Sequence, residues 1–289
     1  MKKVGAVFGA GVALGAYSLW ERRAYRVGAV DVPLRRSAPE LTILHISDTH
    51  LRVSERKLIA WLEELPQRLN TVPDLVLATG DLIEDDSGIE PLIATFTRLE
   101  ARLGRFYVLG SHDYYQAKFQ PYTRYLARES RRISAPPADT ERLEDGLVDK
   151  GWEPLINSSV TLEADVGTIL VSGVDDPFLG NHTTDHVRRD KSADLALGLV
   201  HSPDVISEWA LNGFDLVLAG HTHGGQVRIP GLGAVVTNCT LPAGLASGLN
   251  RVGPCWIHVS PGLGTSSFSP IRFNCFPQVT LLKTVRRLP

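Results

Sequence analysis

Ala219-Gly220-His221-Thr222-His223-Gly224-Gly225-Gln226 follows a short apolar run, Phe214-Asp215-Leu216-Val217-Leu218, and how these residues are read decides the fold. The run is leucine-rich, has glycines on either side, and reads as a buried strand. In an extended segment, residues two apart point the same way, so His221 and His223 face one pocket where that strand ends. Imidazole nitrogen is a ligand for zinc, manganese or iron. The flanking glycines let the backbone approach whatever is bound there. A His-x-His alone fits a surface turn equally well; the remainder of the chain separates the two.

The same ending recurs along the chain. Residues 41–47 read as a buried strand that ends in Asp48-Thr49-His50. Residues 74–79 end in Gly80-Asp81, 105–109 in Gly110-Ser111-His112-Asp113, and 194–200 in His201. Helical patterns intervene at 55–69, where Leu58, Leu62 and Leu65 recur at helical spacing, and at 91–103. Strands alternating with helices indicate an α/β domain. Farther on, 143–150 reads as a helix, 160–162 and 168–174 as a hairpin, and 227–229, 234–237, 256–259 and 279–284 as short strands. The expected architecture is a two-sheet α/β sandwich with helices outside and the site at one edge. In open α/β sheets the ligand site lies at the carboxyl ends of the strands. Five loops therefore converge on one rim. They bring three carboxylates, Asp48, Asp81 and Asp113, and five histidines, His50, His112, His201, His221 and His223. Such a cluster repels itself or stays unsatisfied without a cation. A two-metal centre satisfies it, with ions about 3.5–4 Å apart that clamp a phosphate during in-line attack.

The ordered set Asp48-Thr49-His50, Gly80-Asp81, Gly110-Ser111-His112-Asp113, His201 and Gly220-His221-Thr222-His223 resembles the calcineurin-like metallophosphoesterase superfamily. The resemblance spans residues 41–282. The phrase from His221 to Gln226, with His201-Ser202-Pro203-Asp204 before it, is most similar to the membrane-associated bacterial phosphodiesterase branch, which includes pyrophosphatases acting on lipid A precursors. The resemblance implies a four-layer fold of two mixed β-sheets flanked by helices. It also implies two divalent ions (manganese, iron, zinc or magnesium) and a metal-bridging hydroxide that attacks phosphorus. By position, Asp48, His50 and His223 would hold the first ion and Asp81 would bridge both. His201 and His221, with Ser111, would hold the second. His112 would stand over the leaving-group oxygen and Asp113 would orient it. Ser111 departs from the pattern, because the superfamily has asparagine there. A hydroxyl is shorter than an amide and a poorer metal donor, so weaker binding at the second site is expected.

The N-terminus carries Met1-Lys2-Lys3, an apolar run over 4–20, and then Arg22, Arg23 and Arg26. Such a run approaches the roughly 17–25 residues that span a bilayer as a helix. The expectation is residues 1–26 as an anchor or signal-like segment, 27–40 as a linker with Pro33 and Pro39, and 41–289 as the catalytic domain. A cleaved signal peptide is the rival reading, and neither fixes the side of the membrane. The 289 residues carry a formal net charge of −2, so no global basic field points to nucleic acid. Cys239, Cys255 and Cys275 are widely spaced and read as buried free thiols.

Directly after the His112 motif, residues 116–132 interleave Lys118, Arg124, Arg128, Arg131 and Arg132 with Phe119, Tyr122, Tyr125 and Leu126. One reading is a solvated helix with its apolar side on the core. The other is a flap whose Arg124, Arg128 and Arg131 touch an anionic head group, which would suit a lipid-linked phosphoester. The expected function is hydrolysis of a phosphodiester or pyrophosphate bond, with a degenerate non-catalytic metal- or ligand-binding module, or a nuclease, as alternatives.

Overall fold

The computed structural model describes residues 2–35, 37–118 and 135–286, with side chains from residue 11 onward. Arg124, Arg128 and Arg131 lie outside the described residues. Helix α1 (Lys2–Glu21) leads into β1 (Arg26–Leu34) and β2 (Thr42–Ile46). Helices α2 (Arg56–Glu63) and α3 (Leu65–Leu69) precede β3 (Leu75–Thr79), and α4 (Ile89–Phe96) precedes β4 (Gly104–Val108). The single turn α5 (Ser111–Tyr114) and helix α6 (Thr140–Val148) come before the short β5 (Glu153–Pro154). The second half holds β6 (Ser158–Ala164), β7 (Gly167–Gly173), β8 (Leu195–Val200), α7 (Ile206–Leu211) and β9 (Leu216–Ala219). It continues with β10 (Arg228–Ile229), β11 (Gly233–Ala234), β12 (Gly248–Val252), β13 (Cys255–Val259) and β14 (Gln278–Arg286).

One six-stranded sheet has the order β1-β14-β2-β3-β4-β5 and a second β12-β13-β9-β8-β7-β6, while β10 and β11 pair as a separate two-stranded ribbon. Both six-stranded sheets are mixed. In the first, only β14 and β2 pair antiparallel. In the second, the parallel core β13-β9-β8-β7 is flanked by antiparallel β12 and β6. Side chains alternate across each strand, and here both faces are covered. Ile43, Leu75, Leu77, Phe106 and Val108 meet Leu197, Leu199, Leu216 and Leu218 between the sheets. Leu44, Ile46, Val76 and Ala78 face outward against Leu58, Leu62, Leu92, Phe96, Leu143 and Leu147 of the helices. On the far side Ala196, Val217 and Ile257 pack under Ile206 and Trp209 of α7. The result is the expected four-layer α/β sandwich. Strands buried on both faces explain the near-continuous apolar runs in the sequence.

Two expectations need correction, and a third is without support. The segment 27–40 is not a linker: Arg26–Leu34 is a strand paired in parallel with β14, from Arg26↔Gln278 to Leu34↔Arg286. Its Val32 and Leu34 enter the inter-sheet core. Pro33 is tolerated because β1 is the edge of its sheet. The helical pattern at 55–69 is two helices, since Pro66 lacks the N–H that a continuous helix would use. The expected membrane span is also not borne out: among the described residues, no helix is long and apolar enough to cross a membrane. The last turn of α1 is committed to protein instead. Ser18 and Glu21 are buried, and the Glu21 carboxylate accepts from the Asn274 N–H at 2.9 Å and from the Cys275 N–H. Tyr17 packs edge-on against Phe273.

Candidate metal centre

The strand ends converge as the sequence implies. Asp48 and His50 leave β2, Asp81 leaves β3, His112 lies in α5, His201 leaves β8, and His221 and His223 leave β9. The first four residues come from the first sheet and the turn after its β4, the other three from the second sheet, so the centre straddles the sandwich edge. Asp48, His50, Asp81, His221 and His223 all adopt positive φ, between +41° and +68°. That conformation costs a non-glycine residue about 1–2 kcal/mol. Strain of this kind concentrates where a site demands a fixed geometry. Close approach is equally demanding. A Cβ on Gly110 would stand 2.4 Å from Asp81 Oδ1, and one on Gly220 would stand 1.9 Å from Ser47 Oγ.

Asp81 occupies the middle. Its Oδ2 lies 3.6 Å from His50 Nε2 and 3.2 Å from His201 Nε2. Its Oδ1 accepts the His112 backbone N–H at 2.8 Å. Asp48 Oδ1 lies 3.6 Å from His223 Nε2 and accepts the His221 N–H at 2.9 Å. Three ligand groups close enough to hold an ion result: Asp48, His50 and His223; His50, Asp81 and His112; and Asp48, Asp81 and His201.

Tautomers show whether these groups suit a cation. His50 Nδ1 is 2.6 Å from the Glu84 carboxylate, which can only accept, so Nδ1 carries the proton. His201 Nδ1 likewise donates to the Thr79 carbonyl at 2.7 Å. The remaining Nε2 lone pair of His50 faces His223 Nε2 at 3.1 Å. That of His201 faces the Asp81 carboxylate. Converging imidazole and carboxylate lone pairs in a buried site need a proton or a cation among them, and these groups suit divalent transition metals. The residues fit the group.

Without metal, protons compete for the same positions. Burial opposes a charge on His50, but the hydrogen bond and field of Glu84, with Asp81 and Asp48, prevail and push its pKa up to about 9. His201 is also buried, and Asp81 raises it well above the ordinary range. Burial lowers His223 well below that range, and burial together with the His201 charge lowers His221 to about 4. Desolvation lowers His112 despite the Asp81 charge beside it.

Some expected residues stand differently. His221 reaches the rim, with its ring 5.2 Å from that of His201, but its Nε2 is 3.1 Å from the Asn238 carbonyl. Ser111 is buried at the start of α5. Asp113 does not orient His112. Its Oδ1 accepts from the Leu82 and Ile83 N–H groups and its Oδ2 from Gly110 N–H, tying two site loops together. Burial pushes its pKa up to about 7, with the Asp81 charge adding to the shift. The carboxylate nearest the His112 ring is Glu84, at 3.6 Å from Nδ1.

Glu84 is a residue the sequence reading missed. It is buried, receives His50, Ser266 and Ser267, and sits three positions after Asp81. Asp176 was also missed. It is fully buried, its Oδ2 has no hydrogen-bond partner, and burial raises its pKa to about 6. The signal for Glu84 was available: an acid after the apolar pair Leu82-Ile83 that closes a buried loop.

A profile of the calcineurin-like phosphoesterase family matches residues 41–225. The chain belongs to that family. It is similar to the uncharacterized metallophosphoesterase YkuE of Bacillus subtilis, with 27% identity over 83% of this chain and 77% of that protein. Phosphodiesterase YaeI of Escherichia coli is 26% identical over 86% of this chain and 84% of its own length. The UDP-2,3-diacylglucosamine pyrophosphatase LpxG of Chlamydia trachomatis is 26% identical over 66% of this chain and 65% of its own length. The family match covers the strand ends from Asp48 to His223 that form the centre.

Proposed function

We propose that the chain hydrolyses a phosphodiester or pyrophosphate bond with two divalent ions, manganese, iron, zinc or magnesium. The observation that carries this reading is the place of Asp81, whose one oxygen lies within 3.6 Å of imidazole nitrogens on two sides. Asp48, His50 and His223 would hold one ion. His201 and His221, with Ser111, would hold the other, and Asp81 would serve both. Bound there, such ions polarise a phosphoryl oxygen and lower the pKa of a coordinated water. Glu84 holds the His50 ring in the tautomer that offers Nε2. His112 is a quarter exposed where Glu84 beside it is closed, so it can reach a bound ester and donate a ring N–H to the departing oxygen.

The substrate class is inferred to be amphiphilic. The relative LpxG, by its name, acts on a diacylated nucleotide sugar, and α1 leaves Val12, Leu14, Leu19 and Trp20 exposed. Arg124, Arg128 and Arg131 are proposed to meet the anionic head group, as their composition suggests. The test is turnover by metal-stripped protein after adding each of the four ions, on a generic aryl phosphodiester and on a diacylated sugar pyrophosphate. Metal-dependent turnover of either is expected. No turnover of both with every ion would favour a non-catalytic binding module.

A further inference from the structure

The inter-sheet core is apolar until it nears the metal centre, where its last layer turns polar. Ile43 and His45 lie on the same face of β2, as do Leu77 and Thr79 on β3. From the second sheet, His258 of β13 enters the same layer. All three polar residues are buried, as is Ser47 just beyond β2. They form a continuous run of hydrogen bonds. His258 Nδ1 is 2.8 Å from His45 Nδ1, and His45 Nε2 is 2.9 Å from Thr79 Oγ1. Thr79 Oγ1 is 2.8 Å from Ser47 Oγ, and Ser47 Oγ is 2.5 Å from Asp48 Oδ2.

Donor counting gives this run one direction. A carboxylate that binds metal is ionised and can only accept, so the Ser47 hydroxyl donates to Asp48. Its single proton is then used, so it accepts from Thr79. The Thr79 proton is used in turn, so Thr79 accepts from His45 Nε2–H. A neutral His45 then has a bare Nδ1, which must accept from His258 Nδ1–H. Burial holds both imidazoles neutral: it lowers His258 to about 4 and His45 well below its ordinary range. Two buried histidines on an inter-sheet face otherwise have no reason to replace leucine, since unpaired polar groups there are costly.

We propose that His45 and His258 are positioning residues for the metal ligand Asp48, acting through Thr79 and Ser47. The run fixes Asp48 Oδ2, and the His221 N–H restrains Oδ1 at 2.9 Å, so the carboxylate is held with Oδ1 towards His223. The same bonds cross from one sheet to the other beside a centre whose ligands come from both. The pair therefore fixes the spacing of the sheets where the ligands must meet. This inference rests on the metal-ligand role given to Asp48 above.

The test combines ion affinity with a direct reading of the tautomers. Thr79→Val keeps the shape and removes the hydroxyl, while Thr79→Ser keeps the hydroxyl. Manganese titration of the metal-free full chain should show Thr79→Val and His258→Phe weakened about 10–100-fold. Thr79→Ser should stay within about threefold of the natural chain, because the hydroxyl it keeps maintains the ligand's support. Equal affinities across the series, or Thr79→Val and Thr79→Ser weakened alike, would overturn the proposal. Nitrogen-15 shifts of the natural protein supply a reading that needs no variant: His45 protonated on Nε2 and His258 on Nδ1. The opposite tautomers would overturn it even if a variant failed to fold. Failure of the natural chain to bind any ion would instead remove the metal reading, and this inference with it.

Discussion

His50 Nδ1 lies 2.6 Å from Glu84 Oε2, and both side chains are closed to solvent. The bond sets which ring nitrogen is free, so Glu84 would control the proposed metal ligand His50 without touching the metal. Glu84→Gln keeps the volume and removes the negative acceptor. Metal affinity should fall about 10–100-fold, the usual cost of losing a partner of a ligating histidine. Calorimetric titration of the metal-free protein measures it, and unchanged affinity would show that His50 is held by other contacts.

The same pair predicts how the metal-free protein responds to pH. His50 has a raised pKa, about 9 against an ordinary 6.5. A raised value contributes stability that is fully present below pH 6.5 and is lost as pH rises through 9. The shift corresponds to about 3 kcal/mol, and His201, also raised, acts in the same direction. Urea unfolding of the metal-free protein should therefore show stability falling between pH 7 and 9. Bound ions displace those protons, so the metal-loaded protein should lose this slope. A flat profile without metal would count against the His50–Glu84 pairing.

Asp81→Asn should abolish turnover and reduce ion content at both positions. The amide keeps the shape but presents one acceptor oxygen where two are used, towards His112 N–H and towards the imidazoles. Elemental analysis of the purified variant beside its rate decides the matter. Full loading with a normal rate would sink the central place given to this residue.

His112→Ala should separate chemistry from binding. Ion content should persist, and turnover should drop by about 10²–10⁴, the usual worth of a positioned proton donor. Loss of ions together with activity would make His112 a ligand, as its place beside His50 and Asp81 also allows.

Gly220→Ala tests how tightly the loops are packed. The added Cβ would meet Ser47 Oγ at 1.9 Å and Asp48 Oδ2 at 2.4 Å. Overpacking of this kind costs about 1–3 kcal/mol, and here it would also displace the carboxylate of the proposed ligand Asp48. Melting temperature and metal affinity should both fall. Gly244→Ala, which meets no atom within 4 Å, is the control and should change neither.

The sandwich was legible because strands buried on both faces leave long apolar runs, and because each ends in a polar side chain the fold must place at an edge. Asp48, His50, Asp81, His201 and His223 stand out in the sequence for that reason. β1 was not, since Pro33 and Pro39 resemble linker residues and its partner β14 lies at the opposite end of the chain. The role of Asp113 could not be read from sequence. Whether it meets the neighbouring imidazole or the backbone of Leu82 and Ile83 depends on how two loops pack. His45 and His258 are 213 positions apart, and no local pattern marks them as a pair.

The docked end of α1 bears on where the chain can be shortened. Cutting after Arg26, the natural choice if the first segment is only a tether, deletes the carboxylate that caps Asn274 and Cys275. It also strips Tyr17 from Phe273, and the Arg272 N–H from its Ser18 carbonyl acceptor. The Cys275 thiol rests 3.3 Å from the His223 carbonyl. A trimmed protein that begins at residue 27 would thus risk appearing inactive for reasons unrelated to its chemistry, whereas one that retains Tyr17 to Glu21 keeps the backing of the His223 loop.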